Sequence, residues 1–125
     1  MLNSPLSGIA AGLAGGFGLV PCVLAGDGNP LVYLPSHGEE PSQAGRDTAN
    51  PIAMILCAAL MLRKSLRLDS EADCVEMAVK NVLDSGWRTA DMVSGTEPKV
   101  GTQAIGKLIA EQVDTAGAVM GAFRR

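Results

Sequence analysis

The order of apolar and polar positions marks four helices along the chain, with short apolar runs and polar loops between them. Small and apolar residues over 4–14 read as a short helix, stopped by Gly15-Gly16-Phe17-Gly18. Residues 19–25 form an apolar passage through Pro21. Gly26-Asp27-Gly28-Asn29-Pro30 is turn chemistry, and Leu31-Val32-Tyr33-Leu34 reads as a short strand. A polar loop fills 35–50. The spacing then predicts a helix over 51–65, with Asn50 as its N-cap and Pro51 at the first helical position, where a missing N–H costs nothing. Ile52, Met54, Ile55, Leu56, Cys57, Leu60, Met61 and Leu62 leave it no polar stripe, so burial on several sides is expected. Arg63, Lys64 and Arg67 stand at its C-terminal end, where cations meet the negative end of the dipole.

Ser70-Glu71-Ala72-Asp73 approximates a capping box and starts a second long helix. Ala72, Val75, Ala78, Val79, Val82 and Leu83 recur on one face of it, with Glu71, Glu76 and Lys80 outward and Gly86 as its C-cap. Residues 88–92 read as a short strand and 94–98 as a loop. Thr102 is expected to cap a last helix with Ile105, Leu108, Ile109 and Val113 inward, and 117–125 to fray. The order of short strands and longer helices predicts α/β, helix-rich, in one partial domain over 1–125. So few strands do not complete a sheet, which is expected of a part of something larger.

Hydrophobic residues make up 47% of the 125 residues but aromatics only 3%, so the core must be built from Ala, Val, Leu, Ile and Met. The net charge of −3 without a basic block argues against nucleic acid as a partner. Cys22, Cys57 and Cys74 are odd in number, far apart and without a CxxC, which fits buried reduced thiols in the cytoplasm or the mitochondrial matrix. Residues 9–25 are nearly free of charge, and Gly8, Gly12 and Gly16 repeat at the spacing of membrane-helix contacts. Yet Gly15, Gly18 and Pro21 interrupt the run, Asp27 closes it, and no Lys or Arg precedes it. A membrane span or signal peptide is not expected.

Chemistry concentrates in the loop. It carries the chain's one histidine, His37, with backbone amides and a capped helix start close behind, a combination suited to a nucleotide. The loop, from His37-Gly38-Glu39-Glu40-Pro41-Ser42 to Ala49-Asn50-Pro51, resembles H-G-(S/T)-A-P-x-x-A-G-x-x-x-A-N-P of the 3-isopropylmalate and isocitrate dehydrogenases, NAD(P)-dependent enzymes that decarboxylate β-hydroxyacids. Residues 52–63 resemble the apolar helix that follows there. Leu6-Ser7 and 10–21 resemble L-S-D-x-x-A-x-L-x-G-G-L-G-L-x-P. Gly86-Trp87-Arg88-Thr89-Ala90-Asp91 and Val100-Gly101-Thr102 resemble G-(Y/F)-R-T-x-D and V-G-T. The isopropylmalate type is nearer, and the likeness covers about the last third of a family member.

The resemblance implies the C-terminal portion of that fold and a loop for the adenosine end of NAD, with His37, Gly38, Pro41, Ser42, Ala49 and Asn50 as cofactor-binding positions and His37 and Asn50 on the adenine. It also implies what is missing. The family's substrate-gripping arginines and its proton-moving tyrosine and lysine lie upstream of the matching region. Its aspartates for Mg or Mn match Ser4 and Gly8, so no metal is expected. Ser42 stands where NAD-users carry an aspartate on the ribose hydroxyls. Glu39 and Glu40 oppose a pyrophosphate, so NAD binding should be weak or lost, and NADP weaker still.

Blander readings stand beside these. His37 also suits a locally hydrogen-bonded loop, Glu39-Glu40 a solvated turn, Asp91 a turn or cap, Cys57 a structural thiol, and Met54, Met61, Met77 and Met92 core filling. Three functions follow: a dehydrogenase of isopropylmalate type by descent, inactive as an isolated chain; a non-catalytic module that self-associates or binds a full-length homologue; or a residual nucleotide-binding module.

Overall fold

The computed structural model describes residues 5–28, 30–93, 95–96 and 99–121. Ser4, Asn29, Ser94, Glu97, Pro98 and residues 122–125, each part of an expected element or site, lie outside the described residues.

Helix α1 (Pro5–Ala14) leads into strands β1 (Pro21–Leu24) and β2 (Val32–Pro35), followed by helices α2 (Ile52–Lys64), α3 (Asp69–Asp84) and α4 (Thr102–Met120). Single 3-10 turns occupy Phe17–Leu19, Pro41–Gln43 and Ala90–Met92. The architecture is helix-rich α/β with one two-stranded sheet. Its layers run from the β1–β2 ribbon to α2, then α3, then α4.

The passage through Pro21 is a strand after all. It pairs antiparallel with β2 in the register Pro21↔Pro35, Cys22↔Leu34, Val23↔Tyr33 and Leu24↔Val32. Both prolines fall at the same end of the ribbon, where a missing N–H is tolerated. Residues 88–92, expected as a strand, form only a single bridge, Arg88 to Lys99, before turning. The reason lies in the side chains. The Arg88 guanidinium donates to the Leu83 carbonyl at the end of α3 (2.6 Å), and the Thr89 hydroxyl donates to Asp91 (2.6 Å), which bends the chain.

Three helix starts also differ. Helix α3 starts at Asp69, not at a Ser70 capping box: Arg67 takes a left-handed conformation (φ 58°), and the Leu68 N–H reaches back to Leu62 O at 3.0 Å, so the chain re-enters a helix at once. Arg63 spans the turn to Asp69, Asp73 and Glu76 at 3.5, 2.7 and 3.0 Å. Asp73 and then Glu76 raise its already high pKa and hold it charged. Helix α4 is preceded by Gly101 and continues past 117 to Met120, where Gly121 closes it in the left-handed region (φ 68°). Helix α2 begins at Ile52, one residue later than the spacing predicts.

The core is formed by Ile52, Ala78, Val79, Val82, Ile105 and Ile109, flanked by half-buried Leu19, Ile55, Leu56, Leu83, Leu108 and Val113. The inward face expected for α3 is the observed one. Helix α2 packs against both α3 and the ribbon, the burial on several sides that its pattern requires, and Met54 and Met61 are its exposed large apolar side chains.

Candidate functional site

The polar loop ends at Asn50, which locks the entry to α2. Its Oδ1 accepts the Ile52 N–H at 3.0 Å, the capping role read from the sequence, and its Nδ2 donates to Asp91 Oδ2 at 3.0 Å. The other Asp91 oxygen accepts from Thr89 Oγ1, the buried polar side chain of this region. A side chain at Gly18 would put its Cβ 2.8 Å from both Asn50 Nδ2 and Asp91 Oδ2, so this close approach requires glycine. Asp91, read as a turn or cap residue, is the group that orients Asn50.

His37, Gly38, Ala49 and Asn50 come together as walls of one cleft of about 540 Å³, joined by Glu40, Gln43, Thr48, Ala90 and Asp91. Pro41 does not line it. It faces a shallower hollow with Leu34, Pro35, His37, Gly38, Glu39 and Glu40. Ser42 lines neither. Its N–H and hydroxyl both donate to Glu40 Oε1, so Glu40 is a cap for the 3-10 turn rather than a solvated charge alone. Gln43, Thr48 and Ala90 went unnoticed in the sequence, since no charge or ring marks them.

The exposed His37 ring places Nδ1 3.0 Å from the Gly38 carbonyl. A carbonyl only accepts, so Nδ1 is the donor of this contact, and in the neutral ring Nε2 is then the acceptor. The Asn50 amide has spent one acceptor site and one donor, which leaves one of each. The cleft thus offers an acceptor on His37, a donor and an acceptor on Asn50, and carboxylates at Glu40 and Asp91.

Away from the cleft, burial pushes the Cys57 thiol above its ordinary range, opposed by a hydrogen bond at the Cys22 backbone. Burial raises Cys74 as well, helped by the charges of Glu71 and Asp73. Both stay protonated near neutrality and make poor nucleophiles. As for a hard cation, Gly8 has no side-chain oxygen to give it, so the donor chemistry at the matching positions does not fit a divalent metal.

The profile of the isocitrate/isopropylmalate dehydrogenase family matches residues 5–109. The 3-isopropylmalate dehydrogenase of Nitratidesulfovibrio vulgaris is 44% identical over 108 residues, 86% of this chain and 30% of that one. The 3-isopropylmalate dehydrogenase of Thermosynechococcus vestitus is 42% identical over 108 residues, again 86% and 30%. The crystal structure of isocitrate dehydrogenase from Methylococcus capsulatus superposes with a TM-score of 0.76 at 34% identity, over 87% of this chain and 31% of that one. The chain therefore spans under a third of the length of the relatives it matches.

Proposed function

The chain belongs to the isocitrate/isopropylmalate dehydrogenase family, and on that premise we propose that it carries the adenosine-binding end of an NAD-dependent, β-decarboxylating dehydrogenase of the 3-isopropylmalate, leucine-biosynthetic type, without the groups that perform the chemistry. The observation that carries this reading is the convergence of His37, Gly38, Ala49 and Asn50 on one cleft, with Asn50 clamped by Asp91. The Nε2 lone pair of His37 suits the adenine amino group, and the remaining donor and acceptor of Asn50 suit the ring nitrogens and amino edge. Glu40 adds negative charge beside the ligand, which favours NAD over the more anionic NADP and keeps affinity low.

Bound NAD would supply a hydride acceptor. Hydride transfer also needs the substrate hydroxyl deprotonated, its carboxylates held and the developing oxyanion stabilised. No residue of this chain matches the family's substrate arginines or its proton-transfer tyrosine and lysine, and Gly8 brings no ligand for Mg or Mn. The isolated chain therefore binds without turning over. Purified chain with NAD, Mg or Mn and 3-isopropylmalate should give no NADH absorbance, while calorimetry should detect weak NAD binding that His37→Ala removes. Metal-dependent turnover by the purified chain would defeat the first claim, and absence of NAD binding the second.

Ser42→Asp sharpens the assay. An aspartate there would supply a ribose carboxylate, a charge-assisted contact of about 1.5–3 kcal/mol. Because Glu40 already bonds Ser42, the gain should appear in full only when Glu40→Ala removes the competing charge. A second reading, a module that binds a further copy or a full-length homologue, draws on the exposed apolar residues of α1 and the ribbon. No described helix is long and apolar enough to cross a membrane, and the buried thiols of Cys57 and Cys74 fit the cytoplasm or the mitochondrial matrix.

A further inference from the structure

The loop that walls the cleft is anchored at its far side by a helix that does not line the cleft at all. Asp47 Oδ1 accepts the Gln103 N–H at 2.8 Å, and the Asp47 carbonyl accepts the Thr102 N–H at 3.1 Å. The Thr102 hydroxyl donates to the Ala49 carbonyl, one residue before Asn50. Asp47 thereby takes the N-cap role for α4 that Thr102 was expected to fill, and does so from 56 residues away. Its backbone is left-handed (φ 53°), a conformation few side chains other than Asp and Asn tolerate. Gly101 makes the approach possible: a Cβ there would lie 2.2 Å from Asp47 Oδ2 and 2.6 Å from the Asp47 carbonyl oxygen.

We infer that Asp47, Gly101 and Thr102 form a positioning clip through which α4, outside the cleft, sets the shape of the nucleotide loop and hence its affinity. Without the clip, Thr48 and Ala49 lose their anchor, and the cleft wall they form must be ordered afresh by each incoming ligand. Helix α4 is itself rooted against α3 through Ile105 and Ile109, so the loop inherits the rigidity of the core. None of the three clip residues touches the ligand in this account; they act through Ala49 and Asn50. The affinity part rests on the nucleotide reading above.

The test uses the full chain, ADP as the probe, calorimetry for affinity and amide hydrogen exchange for loop order. Asp47→Gly keeps the left-handed backbone and deletes the carboxylate. It should weaken ADP about tenfold, the loss expected of one charge-assisted hydrogen bond, and speed exchange across 37–50 while leaving α3 protected. Asp47→Asn keeps an oxygen for Gln103 and the same backbone tolerance, and should rescue both readouts. Gly101→Ala lies outside the loop yet should reproduce the Asp47→Gly pattern, because its methyl displaces Asp47. Unchanged exchange in 37–50 for both Asp47→Gly and Gly101→Ala would overturn the clip. Faster exchange with unchanged ADP affinity would overturn its control of the site. If the wild-type chain binds no ADP, the nucleotide reading fails and the affinity claim with it, while exchange still decides the clip.

Discussion

Ile52 and Ile105 are fully buried, whereas Ile9 and Leu13 stand 62% and 85% exposed. The contrast divides the chain by region rather than by residue type. From α2 onward, three helices pack in succession, and partners far off in sequence fix two of their starts: Asp91 holds Asn50 before α2 and Asp47 caps α4, while Arg63 ties α2 to Asp69, Asp73 and Glu76 of α3. Before α2, every described residue of the ribbon is at best half-buried, Ala11 is the buried one among the α1 side chains described (8–13), and α1 packs mainly on the turn that follows it. A two-stranded ribbon alone is marginal in water, and open strand edges invite pairing. The helical region builds a closed core of its own, although Met54, Met77 and Val119 stay exposed on it; the N-terminal region buries little and leaves its apolar surface for something else to cover.

The largest effect should come from breaking the helical side. Ile105→Ala removes a fully buried side chain at the α3–α4 contact and should cost about 2–5 kcal/mol in urea denaturation. Leu13→Ala on α1 should change stability by less than about 0.5 kcal/mol. Equal losses from the two would mean that α1 belongs to the same cooperative core, and the division would fall.

Association is the next effect, and it locates the cover. Ile9, Leu13, Phe17, Leu24 and Val32 expose apolar surface on the N-terminal side. Fully burying one such side chain is worth roughly 1.5–3 kcal/mol, so the chain should self-associate, or take up a full-length homologue, through this side rather than through α2. In sedimentation across a concentration series, Ile9→Ser with Leu13→Ser should weaken self-association about tenfold or more, while Met54→Ser on α2 should do little. A single monomeric species at every concentration, with one sharp melt, would show that the chain closes its own surface.

The same division explains how much the sequence disclosed. Helix faces were legible because burial imposes a period: Ala78, Val79 and Val82 face inward as their spacing requires. The loop was legible through His37 and the Asn50-Pro51 start, since each has a distinctive local chemistry. What stayed hidden depends on contacts distant in sequence. Nothing local marks Asp47 as the cap of α4, and Thr102 looks like the better candidate until Gly101 is seen to admit Asp47. Strand β1 was hidden by Pro21, and the supposed strand at 88–92 was undone by where the Arg88 and Thr89 side chains bond.

The smallest effect is a pH dependence, and it should belong to the helical region. Burial raises the Cys57 and Cys74 pKa values above the ordinary 9.0. Raised folded values mean that folding favours the protonated thiols. Their stabilising contribution is fully present below pH 9.0 and is lost as pH rises through the folded values. Denaturation midpoints should therefore fall more steeply above pH 9.0 in the wild type than in Cys57→Ala with Cys74→Ala, although the double variant starts from a lower midpoint because it has lost two buried sulfur atoms. Other groups titrate in this window, so the difference between the two slopes, rather than the fall itself, carries the test. Parallel slopes would show that neither thiol is held away from water by the packing around it, and the helical side would be looser than its buried isoleucines imply.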